Sequence, residues 1–291
     1  MDPLLPLVIS GFVSGAAYGL VALGKVIIFK TTDTVNFALA DIATLAAFVA
    51  ITGIGHGLPV PAALVLAIAV AGLLGIATHR WLVRRLVRDR NRIFVALVLM
   101  IGLGLLIRAT IGQVWGHEPV PFPALVAGTV RVGGIELAWN KIVATGFALA
   151  AMGFVAWFFN RTAFGVAMRA CADDPFAAKL IGIDAERVAM IAWFIGCALA
   201  AIAIFFLAGN AALSTTFALV PLFRALAGVF LGGLTSMPGA VIGGFVVGIL
   251  DNLAAGYVSA SFRDTIVFAI IVVVLFVRPA GFLGKVRAER V

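Results

Sequence analysis

The sequence predicts an all-α polytopic membrane protein of about nine transmembrane helices, roughly eight to ten being compatible with the pattern. Two observations carry that prediction. The 291 residues are 63% hydrophobic and 12% charged, with a mean hydropathy of +1.17. Apolar runs of about twenty residues, the length that spans a bilayer core as a helix at about 1.5 Å per residue, recur along the whole chain. A soluble helical protein would need polar faces on its helices, and most of these segments are apolar all round.

The segment from Met1 to Phe29 carries Asp2 and has no basic residue before Lys25, so it reads as a first membrane helix and not as a cleavable signal peptide. The predicted helices run from Leu5 to Phe29, Val35 to Ile54, Val60 to His79, Ile93 to Ile111, Ile142 to Phe159, Val188 to Ala208, Val220 to Leu234, Ala240 to Tyr257 and Thr265 to Val277. No hydrophilic domain interrupts them, so residues 1–291 form a single transmembrane domain. Weak internal similarity joins Gly24–Ala50 to Gly228–Leu253, each a glycine-bearing apolar stretch with a short polar interruption.

Short loops rich in Lys and Arg face the cytoplasm. Arg80, Arg84, Arg85, Arg88, Arg90 and Arg92 follow the third helix, Arg161, Arg169, Lys179 and Arg187 follow the fifth, and Arg278, Lys285, Arg287 and Arg290 follow the last. An alternating path puts all three groups on one side, with the amino terminus outside and the carboxyl terminus in the cytoplasm. The net charge of +8 is therefore one of anchoring and orientation, and no basic face with interleaved aromatics suggests nucleic acid. The opposite side receives residues 112–141, an external loop with few charges that is either a passive connector or a short folded structure.

Chemistry-bearing residues are few. Asp41 falls a turn into the second helix, Lys25 near the end of the first, and Asp251 within the eighth. An ionisable group inside a span marks a pathway by default, with a helix cap (Asp41) or an interfacial anchor (Lys25, Asp251) as the alternative. The run from Gly228 to Gly248 includes Gly232, Gly233 and Gly239; it reads either as close helix packing or as a broken or re-entrant helix near Leu234–Pro238. Cys171 and Cys197 are spaced for neither a metal cluster nor a disulfide and read as buried filler. No phosphate-binding loop, zinc-protease helix or nucleophile elbow occurs, and His56, His79 and His117 fall in predicted loops or at helix ends. No catalytic centre, metal site or bound cofactor is expected of this chain.

The polar segment FGVAMRACADDPFAAKLIGIDAERV, within the loop 160–187, is the exception in an apolar chain. Asp173 and Asp174 precede Pro175, so a carboxylate can accept the free amide protons of a new helix while Pro175 occupies its first turn. Gly182 supplies a left-handed cap, and Asp184 caps the following helix. The result is a short capped helix with Phe176, Leu180 and Ile181 as an apolar stripe, which either lies on lipid headgroups or enters a groove of a partner.

Three blocks give the chain a resemblance: GLVALGKVIIFKTTDTVNFALADI, RACADDPFAAKLIGIDAERV, and RALAGVFLGGLTSMPGAVIGGFVVGIL followed by VRPAGFLG. Together they resemble LivH-type permease subunits of branched-chain amino acid ABC importers, over essentially the whole chain. The resemblance implies a bacterial inner-membrane subunit that pairs with a homologous second permease. It also implies two cytoplasmic ATPase subunits that consume ATP and a periplasmic protein that delivers substrate. Asp173, Asp174, Pro175, Phe176, Lys179, Leu180, Ile181 and Gly182 would form the coupling helix to the ATPase. Asn36, Phe37 and Asp41 match a signature of the first repeat, and with Lys25, Gly232, Gly233, Gly239 and Asp251 they are the candidate pathway residues. Leu39 and Ala40 stand where that signature has His-Gly, and Lys25 and Lys30 where apolar residues or glycine are commoner, which leaves open related small amides and carboxylates as substrates. The alternative is an ion-coupled carrier or channel that titrates Asp41 and Asp251.

Overall fold

The computed structural model describes residues 4–86, 92–126, 128–132, 135–209, 211–258, 262–278 and 281–284. Its helices in chain order are α1 (Leu4–Thr32), α2 (Leu39–Gly55), α3 (Val60–Ala77), a π-helical turn (Thr78–Val83) running into α4 (Arg84–Leu86), α5 (Arg92–Trp115), α6 (Trp139–Arg161), α7 (Ala163–Asp173), α8 (Pro175–Leu180), α9 (Ala185–Ala208), α10 (Leu219–Gly232), α11 (Met237–Tyr257) and α12 (Arg263–Val277). Six of the helical stretches are long and apolar enough to cross a membrane; α2, α10 and the apolar part of α12 are shorter. The protein is thus a predominantly α-helical multi-pass membrane protein, in keeping with the expected class.

α1 is the central strut. At about 1.5 Å per residue its 29 residues reach about 43 Å, and every side chain from Gly15 to Ile28 is buried. It packs on α6, α9, α10 and α11. Against α9 and α11 the contact is backbone on backbone: a Cβ on Gly24 would lie 2.5 Å from the Gly196 carbonyl oxygen, and one on Gly15 would lie 2.8 Å from the Phe245 Cα. Gly244 and Gly248 of α11 meet the backbone of Gly19 and Gly15 in return, and Gly228 of α10 would put a Cβ 2.7 Å from the Gly244 amide. Small residues permit this approach, and in lipid it supplies the dispersion contacts that hold helices together. α9 is almost wholly buried from Trp193 to Phe206, whereas α5 and α12 expose Leu105, Leu106, Val273 and Phe276 at the periphery.

Local chemistry sets the element ends. α1 runs past the expected Phe29 because the Thr31 and Thr32 hydroxyls donate to the Ile28 carbonyl at 3.0 and 2.9 Å; Asp33, with φ of 49°, then turns the chain. Residues 33–38 are irregular, so α2 begins at Leu39 and not at Val35. The third helix does not stop at His79. Its extension through the π turn makes Arg80, Arg84 and Arg85 helical instead of loop residues, and His79 is buried with its ring 5.8 Å from that of Trp193. α7 was not expected as a helix: Thr162 caps it, accepting from the Gly165 amide at 3.1 Å, and it buries Gly165, Met168, Cys171 and Ala172 along one face. Both cysteines are buried and free. Arg88, Arg90, Lys285, Arg287 and Arg290, counted in the charge bias, lie outside the described residues.

The loop between α5 and α6 is folded. Its β1 (Val120–Pro121) pairs antiparallel with β4 (Ala212–Leu213) ahead of α10, and β2 (Thr129–Val132) with β3 (Ile135–Ala138) makes a hairpin. Phe122 packs edge-on against Phe205 at 4.9 Å, and Asn140 Oδ1 accepts from the Leu125 amide at 3.0 Å. This folded loop sits at the start of α6, while α7 and α8 follow its end, so the two polar regions cap opposite ends of the bundle.

Close glycine packing makes a directional prediction. Gly244→Ala should cost about 1–3 kcal/mol by forcing α11 off α1. Gly146→Ala, where nothing lies within 4 Å of the added methyl, should leave stability unchanged or slightly raised. Thermal unfolding in detergent compares the two, and equal midpoints would refute the contact's importance.

Candidate functional site

The first polar constellation joins α1, the 33–38 turn, α2 and α5. Asp41, in the first turn of α2 and 2% exposed, accepts two hydrogen bonds from Arg108 of α5: Nε to Oδ1 at 2.8 Å and Nη2 to Oδ2 at 3.0 Å. Gly104, one turn earlier on α5, makes the room, since a Cβ there would lie 2.5 Å from Asp41 Oδ2. Lys25 is buried two turns before the end of α1; its Nζ donates to the Asn36 carbonyl at 3.1 Å and stands 5.3 Å from the centre of the Phe37 ring. Both amide atoms of the Asn36 side chain are buried and meet no partner among the described residues. Arg108 is therefore the cation paired with Asp41, and Lys25, buried and bonded to backbone, is not an interfacial anchor.

The second constellation ties α11 to three other helices. Asp251 is fully buried and accepts two hydrogen bonds from one edge of the Arg263 guanidinium of α12, Nη2 to Oδ2 and Nε to Oδ1 at 2.5 Å, while Arg224 Nε of α10 lies 3.1 Å from the same Oδ1. Arg224 Nη1 in turn donates to the Tyr18 hydroxyl of α1 at 3.1 Å. Asp251 is likewise no surface anchor. Its neighbour Asn252 donates to the Gly248 carbonyl of its own helix at 2.9 Å.

Arg108, Arg224 and Arg263 are the members of these two polar clusters that sequence reasoning missed. The signal was present, because an arginine inside an apolar run needs a counterion or water. The partner helix was not readable from it. Gly232, Gly233 and Gly239 lie at the contact of α10 with α11, where the Gly232 and Gly239 backbones press on each other. A true break separates these helices: Gly233 takes a φ of 105°, and Ser236 caps α11 by accepting from the Gly239 amide at 3.1 Å. The open end of α10 is closed by the tail, where Phe282 N donates to the Leu231 carbonyl at 2.8 Å and Leu283 N to that of Gly232 at 3.1 Å.

The third element is α8. Asp174 Oδ1 accepts from the Phe176 and Ala177 amides at 2.9 and 3.0 Å, with Pro175 in the first turn. Gly182, at φ of 84°, ends it, and Asp184 Oδ1 starts α9 by accepting from Glu186 and Arg187 amides at 3.1 and 3.2 Å. Phe176, Leu180 and Ile181 are 73%, 73% and 76% exposed, and Asp173 and Lys179 are also exposed. Behind them, burial pushes the Cys171 thiol up from its usual pKa, with the Asp184 carboxylate adding to the shift, so it stays protonated and unreactive near neutrality.

Two cavities lie along α1 and α6. At the α8 end, one of about 870 Å³ is lined by Lys30, Asp33, Asn160, Arg169, Asp173 and Ser236 among others. At the opposite end, one of about 530 Å³ is lined by Tyr18, Lys141, Phe206, Phe217, Arg224 and Arg263 among others. Between them the Met152 side chain fills the space left by Gly19, whose added Cβ would lie 2.8 Å from Met152 Cε. Lys25, Asn36, Phe37 and Asp41 line neither cavity. Among the described residues no group of His, Cys, Asp and Glu is arranged to hold a metal ion.

Residues 7–275 match the family described as "Branched-chain amino acid transport system / permease component". The chain is 30% identical over 297 residues to the high-affinity branched-chain amino acid transport system permease protein LivH of Escherichia coli (strain K12), covering 97% of this chain and 96% of the relative. It is 28% identical to the corresponding permease protein BraD of Pseudomonas aeruginosa over 97% and 96% of the two chains, and 25% identical to a probable LivH of Methanocaldococcus jannaschii over 91% and 88%. Among solved structures, a chain of PsaBC from Streptococcus pneumoniae in complex with Fab superposes with a TM-score of 0.54 at 14% identity, covering 96% of this chain and 95% of that one, a likeness of fold.

Asp41→Asn should cost about 3–5 kcal/mol, because Arg108 then keeps a poorly compensated charge. The double variant Asp41→Asn, Arg108→Gln should lose less than the sum of the two single losses in denaturant unfolding. Strict additivity would show that the pair does not interact.

Proposed function

The chain belongs to the branched-chain amino acid transport system permease family, and from that premise we propose that it is the membrane permease subunit of an ATP-driven importer for branched-chain amino acids or related small amides and carboxylates. It works beside a homologous permease subunit, two cytoplasmic ATPases and an external binding protein, with ATP consumed on the ATPases. Residues 1–291 act as one transmembrane domain. α1, α2, α3, α5, α6, α9, α10, α11 and α12 make nine crossings of the bacterial inner membrane. The amino terminus is outside and the carboxyl terminus in the cytoplasm, as the Lys and Arg bias favours.

The observation that carries the coupling role is α8: a helix capped at both ends by its own sequence, with three large apolar side chains on it and at its C-cap largely exposed. Such a stripe suits insertion into a groove of a partner. α7 links it to the transport path, since Arg169, Ala172 and Asp173 line the neighbouring cavity while the next residue, Asp174, caps α8. Closure of an ATPase pair on α8 would therefore move a wall of that cavity. The ion-coupled reading draws less support, because Asp41 and Asp251 are each already held by arginine and neither lines the two cavities described.

Two outcomes test this reading. Proteoliposomes holding the chain with its partner subunits should take up a labelled branched-chain amino acid only with ATP; uptake by this chain alone under an ion gradient would refute it. Replacing Phe176, Leu180 and Ile181 together by Ser should lower ATPase co-purification and ATP-driven uptake about tenfold or more. The same variant should shift unfolding stability by no more than about 0.5 kcal/mol, as expected for exposed positions.

A further inference from the structure

The cavity at the end of the bundle remote from α8 is basic among the described residues. Three basic side chains, Lys141, Arg224 and Arg263, line it, and no described Asp or Glu does. The fully buried Asp251 behind the two arginines is bound to both. Lys141 Nζ meets no acceptor among the described residues. It also lies in the first turn of α6, where the helix dipole disfavours a cation. A lysine so placed within a span is stabilised by an anion or by water. The remaining wall is largely apolar, with Leu20, Phe206 and Phe217, and the volume of about 530 Å³ falls in the range of small-molecule sites.

We propose that this cavity binds the carboxylate of the transported molecule. Lys141 makes the first contact. Arg224, fixed in orientation by Tyr18 and Asp251, makes the second, and an aliphatic side chain rests against Phe206 and Phe217. The inference rests on the transport reading and adds the site and the group recognised. Because no acidic side chain among the described residues lines the cavity to receive an α-ammonium, recognition is by carboxylate: an amino acid and its 2-oxo analogue share the site, and the amino acid amide does not. Met152, packed into the notch at Gly19, forms the floor that separates the bound molecule from the cavity at the α8 end.

The test uses the full chain in lipid nanodiscs and three probes, leucine, 4-methyl-2-oxopentanoate and leucinamide, with equilibrium binding followed by calorimetry or NMR. Both carboxylates should bind saturably and leucinamide about tenfold more weakly or worse, as expected for loss of a charge-assisted contact. Lys141→Gln should weaken both carboxylates by about tenfold and leave leucinamide unchanged, and Lys141→Arg should restore binding. Equal binding of the three probes, binding of none, or indifference to Lys141→Gln each overturns the site. ATP-driven uptake by the assembled complex is scored separately. Wild-type uptake rates in Lys141→Gln overturn the site while leaving the transport reading intact. Absence of uptake in the wild-type complex overturns that reading, and the three-probe comparison still decides the site.

Discussion

Backbone contact along α1 is the constraint on which the rest of the bundle depends. In lipid, burying leucine against leucine gains little, because the alternative partner is a hydrocarbon chain. What distinguishes α1 is that Gly15 and Gly19 let α11 approach to backbone contact, and Gly24 does the same for α9. This proximity brings the Tyr18 hydroxyl within 3.1 Å of Arg224, although the two residues are 206 positions apart. It also seats α10 on α11, so that the carboxyl-terminal residues Phe282 and Leu283 can close the open carbonyls of α10. Side chains larger than hydrogen at these positions would open each of these contacts together.

Buried charge does the work of fastening what the glycines bring close. Two buried carboxylates are held by guanidinium from another helix, Asp41 linking α2 to α5 and Asp251 linking α11 to α10 and α12. Such pairs add less to net stability than their Coulomb attraction suggests, since both charges lose their hydration. Their effect is on specificity of arrangement, because breaking one leaves a costly unpaired ion. In both clusters, counting the described residues, basic side chains outnumber the carboxylate.

The exposed end of the molecule follows different physics. α8 is bounded by local hydrogen bonds, from Asp174 at its start to the left-handed Gly182 at its end, and is seated through the buried Ala178. α7 supplies the rigid mount by burying Met168 and Cys171 against the bundle. A display helix and a cavity wall thereby become one covalent unit, with Asp173 facing the cavity and Asp174 capping the helix.

The sequence by itself determined the helical class, the position of every long helix to within a few residues, and the capped helix with its apolar stripe, because each depends on neighbours within a turn or two. It also marked Asp41, Asp251 and Lys25 as ions in an apolar setting. Tertiary structure alone decided their partners. Arg108 meets Asp41 across 67 residues, and nothing in either local stretch encodes that pairing. The same holds for α7, whose buried face appears only when α6 and α9 are present to cover it, and for the helical path of the arginines after α3. It holds too for the two cavities: their walls come from segments that are distant in the chain, and their charge emerges only when those segments are brought together by close contact along α1.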